Sequence, residues 1–117
     1  MRKRIVSITQ NHDFRRLYHR KAVVGSVLVT YISRNKLGFN RVGITTSTKI
    51  GKAHSRNRAR RVIREAYRLL MPSFKGEYGL DIVFVARVKT TLCPMQEVFR
   101  VMKKHLSPYL KDDEENS

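Results

Sequence analysis

Between Thr48 and Leu70 the chain reads TKIGKAHSRNRARRVIREAYRLL, and no other stretch constrains the fold as tightly, because it joins a core-facing stripe to a dense cationic face. Ala59, Val62, Ile63, Ala66, Tyr67 and Leu70 recur at i, i+3, i+4, i+7, i+8 and i+11, the spacing that lines one side of an α-helix. Asn57, Arg60, Arg61, Arg64 and Arg68 fall on the opposite side. Ser55 is placed to cap the N-terminus and Pro72 to stop the helix, so the spacing predicts a helix from about Arg56 to about Met71.

Solvated helix faces normally mix signs to gain i, i+4 pairs, whereas here Glu65 is the one acid. Four arginines crowded together repel one another, and a bound polyanion relieves that repulsion. Arginine as a type points the same way, because its planar fork takes phosphate bidentately and stacks on bases. The chain carries 25 Lys+Arg against 9 Asp+Glu, net +16. Asp112, Asp113, Glu114 and Glu115 supply four of those acids, so residues 1–110 are more basic still. A basic amphipathic helix can also lie on an anionic membrane, but that mode favours bulky apolar residues, and this stripe holds two Ala in a chain without Trp. Nucleic acid is the partner these features imply.

At 41% hydrophobic, 117 residues fit one domain with one modest core, expected over 1–110, with 111–117 (KDDEENS) an acidic tail expected to be disordered. No apolar run approaches the ~18 residues of a membrane span, and MRKRIVSITQ lacks the apolar core of a signal peptide, so a cytoplasmic protein is expected. A lone Cys93 excludes an internal disulfide and a zinc site of its own.

A short first helix is expected in which Asn11 or Asp13 is the cap and Phe14, Leu17 and Tyr18 share a face. Val27 to Ile32 reads as a strand, SRNKLGFN as a turn and Arg41 to Thr46 as the hairpin partner; Leu80 to Ala86 reads as a buried central strand. Thr90 to Pro94 leads into a last helix, with Met95, Val98, Phe99, Met102, Leu106 and Tyr109 inward and Pro108 as its stop. The order α-β-β-α-β-α, with room for one further short strand, implies an α+β fold, a two-layer sandwich of helices on a mixed sheet.

Catalytic chemistry needs a constellation of groups. His12, His19, His54 and His105 are scattered and read as surface residues, while Glu65, Glu77, Asp81 and Glu97 stand apart. No catalytic or metal-binding residue is expected in the protein. KIGKA lacks the remaining features of a P-loop and reads as a turn bringing Lys49 and Lys52 beside the basic helix. Phe14 and Tyr18 are open to two readings: core packing, or the arginine-edged stacking surface of a single-strand binder.

RVG at 41–43, KIGKA at 49–53 and RNRARRVIRE at 56–65, in that order, resemble the signature of the bacterial ribonuclease P protein subunit. NHDFRRLY resembles that family's first helix, and IVFVAR with the helix after it fits its final strand and helix, so the likeness spans residues 3 to about 110. It implies an α/β sandwich with an unusual left-handed βαβ crossover, like the second domain of a small-subunit ribosomal protein. It also implies an accessory role: the partner is a catalytic RNA that removes the 5′ leader of precursor tRNA by Mg2+-dependent hydrolysis, the Mg2+ being held mainly by RNA. No membrane and no stable protein partner are implied. The residues facing the catalytic RNA would be Lys49, Lys52, Arg56, Asn57, Arg58, Arg61 and Arg64, with Arg60 and Arg68 added on helical geometry; Phe14, Tyr18 and Tyr31 would form the leader cleft. Thr48 stands where family members often have a cation, and matching Tyr31 requires a one-residue gap. The rival class is a structural RNA-binding protein of ribosomal type, against which the Arg56-Asn57-Arg58 block decides.

Overall fold

The computed structural model describes residues 4–76 and 79–111. The acidic tail from Asp112 onward, and Glu77, lie outside them. Four helices, α1 (Asn11–Tyr18), α2 (Ala53–Leu70), α3 (Val88–Leu92) and α4 (Met95–His105), accompany four strands, β1 (Ala22–Val24), β2 (Leu28–Arg34), β3 (Arg41–Thr45) and β4 (Leu80–Ala86), in one sheet of order β1-β2-β4-β3. β1 is the further short strand; its AVV run is too brief to show a period.

β3 is not the hairpin partner of β2. The central strand β4 lies between them, antiparallel to β2 from Leu28↔Ala86 to Arg34↔Leu80 and parallel to β3 from Arg41↔Asp81 to Thr45↔Val85. The reason is burial: every residue of β4 but Val85 is buried, so it needs a strand on either flank. The segment after β2 provides the room. Asn35 accepts the Leu37 N–H at 2.8 Å, and the Leu80 N–H donates to Asn40 Oδ1 at 2.9 Å, so the turn residues hold the incoming strand. α2 is thereby the crossover between two parallel neighbours.

Alternation in the sheet separates two faces. Leu80, Ile82, Phe84 and Leu28 meet the helical layer, where Ala59, Ile63, Ala66 and Leu70 of α2 pack with Val98 and Met102 of α4 and with Leu106 just beyond it. Each large aliphatic side chain removed from water there contributes ~1.5 to 3 kcal/mol. On the other face α1 lays Leu17 against Val83 and Ile8.

Three boundaries differ from the sequence reading. α2 begins at Ala53 with Lys52 as N-cap and no side-chain cap, because the chain reverses at Gly51 (φ 133°) and the Arg56 guanidinium closes that turn on Gly51 O at 2.7 Å; Ser55 is already inside the first turn. α1 is flanked by Gln10, not capped by Asn11 or Asp13, since Asp13 turns inward. The last helical region is broken into α3 and α4 at Cys93-Pro94, and α4 ends at His105, before Pro108, which lies in a 3-10 turn.

His105 is buried, not at the surface. It faces β2, with Nδ1 2.8 Å from Thr30 Oγ1, and burial together with the nearby Lys104 charge lowers its pKa. Asp81 is the deeper surprise. Fully buried at the start of β4, it accepts from Arg41 Nε at 2.9 Å and Nη2 at 2.7 Å, from Arg16 Nη2 at 3.0 Å and from Asn35 Nδ2 at 2.8 Å. Asp13 adds ion pairs to Arg41 (3.5 Å) and Arg16 (3.7 Å). Burial pushes the Asp81 carboxyl up, but the hydrogen bonds from Arg41 and Asn35 and the charges of Arg41 and Arg16 outweigh it and hold it below the usual carboxylate range.

Removing the carboxylate leaves the Arg41 guanidinium with only the longer contact to Asp13 at 3.5 Å, so Asp81→Ala should cost about 3 kcal/mol, the low end for breaking a buried pair, in denaturant unfolding near neutral pH. Because the native pKa is depressed, the unfolded chain takes up the proton first; the contribution is full above about pH 4 to 5 and fades as pH falls further. Wild type and variant should therefore converge on acidification. A stability gap that stays constant from pH 6 to pH 2.5 would refute the ionised clamp.

Candidate nucleic-acid interface

Burial of the α2 stripe forces its other side into solvent. Asn57, Arg58, Arg60, Arg61 and Arg64 are exposed, as are Lys49 on the preceding 3-10 turn and Lys52 at the helix start. Among the described residues no carboxylate lies within ion-pair distance of Arg58, Arg61 or Arg64. Arg56 is half-buried and partly engaged by Gly51 O. Arg68 differs again, since it donates to Glu65 one helical turn back, so its charge is locally matched. The unmatched cations thus run from Lys49 through Arg58 to Arg64.

A second feature lies beside this surface. An open groove of about 680 Å³ runs between α1 and α2 across β3, lined by Asn11, Phe14, Arg15, Tyr18, Ile44, Thr45, Thr46 and Arg60. Phe14 is half-buried, and its ring comes so close to Gly43 that a Cβ there would lie 2.5 Å from Cε1; glycine is what lets α1 approach the sheet. Tyr18 is 40% exposed and its hydroxyl sits 2.8 Å from Thr45 Oγ1. Tyr31 does not line the groove. It stands behind Tyr18, edge to face, with ring centroids 5.2 Å apart.

The clamp at Asp81 sets this geometry. It ties Arg16 of α1 to Arg41 of β3, so the helix bearing Phe14 and Tyr18 has one seat on the sheet. The sequence reading missed that role and missed Ile44, Thr45 and Thr46 as groove residues. One signal was present for Asp81, a carboxylate opening an otherwise apolar strand, LDIVFVA, in a chain short of acids. None marked the β3 residues, whose place depends on β4 separating β3 from β2.

Among the described residues, groups that could perform chemistry are engaged or solitary. Asp13 and Asp81 are tied to arginines, and burial, followed by the charge of Glu97, raises the Cys93 thiol, which disfavours the reactive thiolate. No cluster of His, Cys, Asp or Glu among the described residues could hold a metal, and no helix among them is long and apolar enough to cross a membrane.

A small, basic α+β protein with unmatched arginines on one helix and an arginine-edged aromatic groove beside it is the class this structure defines. Residues 2–110 match the family model described as Ribonuclease P. The ribonuclease P protein component of Thermoanaerobacter sp. (strain X514) is 42% identical over 105 residues, 89% of each chain. That of Clostridioides difficile (strain 630) is 43% identical over 101 residues, 86% of this chain and 88% of the other. The RNase P protein structure from Staphylococcus aureus superposes with a TM-score of 0.76 at 27% identity, covering 90% of this chain and 95% of that one. The chain belongs to the ribonuclease P protein family, whose work is tRNA processing.

Proposed function

We propose that this chain is the RNA-binding subunit of a bacterial ribonuclease P, assisting a catalytic RNA in the cytoplasm as it removes the 5′ leader of precursor tRNA. The observation that carries the reading is the separation of two surfaces. The unmatched cations of α2 suit the phosphates of a large folded RNA, whereas the aromatic groove suits a single strand. Lys49, Lys52, Asn57, Arg58, Arg61 and Arg64 would meet the catalytic RNA; Phe14 and Tyr18 would meet the leader, with Tyr31 supporting Tyr18 from behind.

Hydrolysis itself belongs to the RNA in this reading. Among the described residues Asp13 and Asp81 face guanidinium groups, and in this reading Mg2+ would be held by the catalytic RNA and its substrate. What the protein supplies is positive charge that lets two polyanions approach, and stacking that distinguishes precursor from product.

Purified, RNA-free protein should not cleave precursor tRNA with Mg2+ present, and activity should appear on adding the cognate catalytic RNA. Leader-specific cutting by the protein alone would overturn the accessory role.

Arg61→Ala with Arg64→Ala should weaken assembly with the catalytic RNA and leave the thermal midpoint unchanged, both side chains being exposed. Loss of two phosphate contacts should reduce the slope of log affinity against log salt by about 1.4 to 1.8, at roughly 0.7 to 0.9 per contact. An unchanged slope would remove this face from the interface.

Phe14→Ala in the holoenzyme should weaken precursor tRNA binding by about five- to 150-fold, the worth of one stacked base, with mature tRNA affinity nearly constant. An equal loss for both RNAs together with a lowered midpoint would make Phe14 a packing residue only.

A further inference from the structure

Arg60 is set apart from the other α2 cations by its seat. Its Nη1 donates to Ile44 O at 3.0 Å and its Nη2 to Thr46 Oγ1 at 2.9 Å, so the side chain leaves its own helix and lies along the outer edge at the end of β3, beyond the point where residues 6–8 pair with Val42. It lines the groove beside Phe14 and also a smaller recess of about 140 Å³ that continues from it toward Arg64 and Tyr67. A guanidinium has five N–H donors; with two engaged, three are free, in a plane fixed by the strand. Arg15, across the groove, is exposed, and its side chain forms no hydrogen bond or ion pair with another described residue.

We infer that Arg60, seated on β3 by Thr46, is the phosphate anchor of the aromatic groove, and so serves the single strand stacked there and not the RNA gripped by Arg61 and Arg64. The inference rests on the leader-groove reading above and adds which cation serves that groove and how it is held. A strand whose bases stack on Phe14 and Tyr18 must put its phosphodiesters along the walls of the groove. Only a donor held in place beforehand takes one without paying to order a long side chain. The planar fork also matches two phosphate oxygens at once, which a lysine ammonium does not.

The experiment measures affinities of the reconstituted holoenzyme for precursor and mature tRNA, and of the protein for the catalytic RNA, across a salt series. Arg60→Ala should weaken precursor binding by about ten- to 100-fold, as expected for loss of a charged hydrogen-bonded contact. It should lower the precursor salt slope by about 0.7, one single-strand phosphate contact, and spare both mature tRNA binding and assembly. Arg60→Lys should restore the slope but not the full affinity. Thr46→Val, which keeps the side-chain shape and removes the acceptor, should cost about two- to tenfold for precursor alone, at an unchanged thermal midpoint. If Arg60→Ala instead weakens assembly as the Arg61 variant does, or lowers both tRNA affinities equally, the anchor assignment falls. Wild-type holoenzyme with no preference for precursor over mature tRNA would sink the leader-groove reading itself, a different outcome from a preference that survives Arg60→Ala.

Discussion

The structure depends on one buried charge. Asp81 opens the central strand with no exposure to solvent and is acceptable there because Arg41, Arg16 and Asn35 satisfy it from β3, α1 and the β2–β3 turn. A carboxylate stripped of water is costly, and an incomplete set of partners would make it more so. The interaction therefore requires that three separate segments converge at one end of the sheet. That convergence determines where α1 sits and, through Phe14 and Tyr18, the shape of the groove.

The arginines of this chain divide by what they face. Arg16 and Arg41 are used internally at Asp81, Arg68 is matched by Glu65, and Arg100 by Glu97 on α4. Arg58, Arg61 and Arg64 face water with no acid beside them among the described residues. A net charge of +16 distributed at random would say only that the chain prefers polyanions. The partition locates the unmatched charge: along the solvent side of α2, on the far side of that helix from its apolar stripe.

A second buried polar pair lies on the opposite face of the sheet, near its middle. His105 and Thr30 join α4 to β2, and burial, with the nearby Lys104 charge, disfavours the protonated form of the histidine there. The family relationship covers nearly the full chain, residues 2–110, with relatives 42–43% identical. The distribution of ion pairs among the arginines comes from this structure itself.

Much of the chain was legible in advance because local rules dominate there. The α2 stripe, the apolar run of β4 and the inward face of α4 follow from periodicity, which reports burial directly. The cationic face was equally readable, since whatever lies opposite a buried stripe must face solvent. What sequence alone could not determine was non-local. The insertion of β4 between β2 and β3 depends on a pairing across some 40 residues, and the adjacent RVGITT strand makes a local hairpin look natural. Arg16, Arg41 and Arg60 are indistinguishable in sequence from Arg58 or Arg61. Only the tertiary structure decided that the first two meet a buried carboxylate and that Arg60 lies on the edge of β3, because a side chain's partner is set by which backbone passes within reach of it, and that is a property of the assembled sheet.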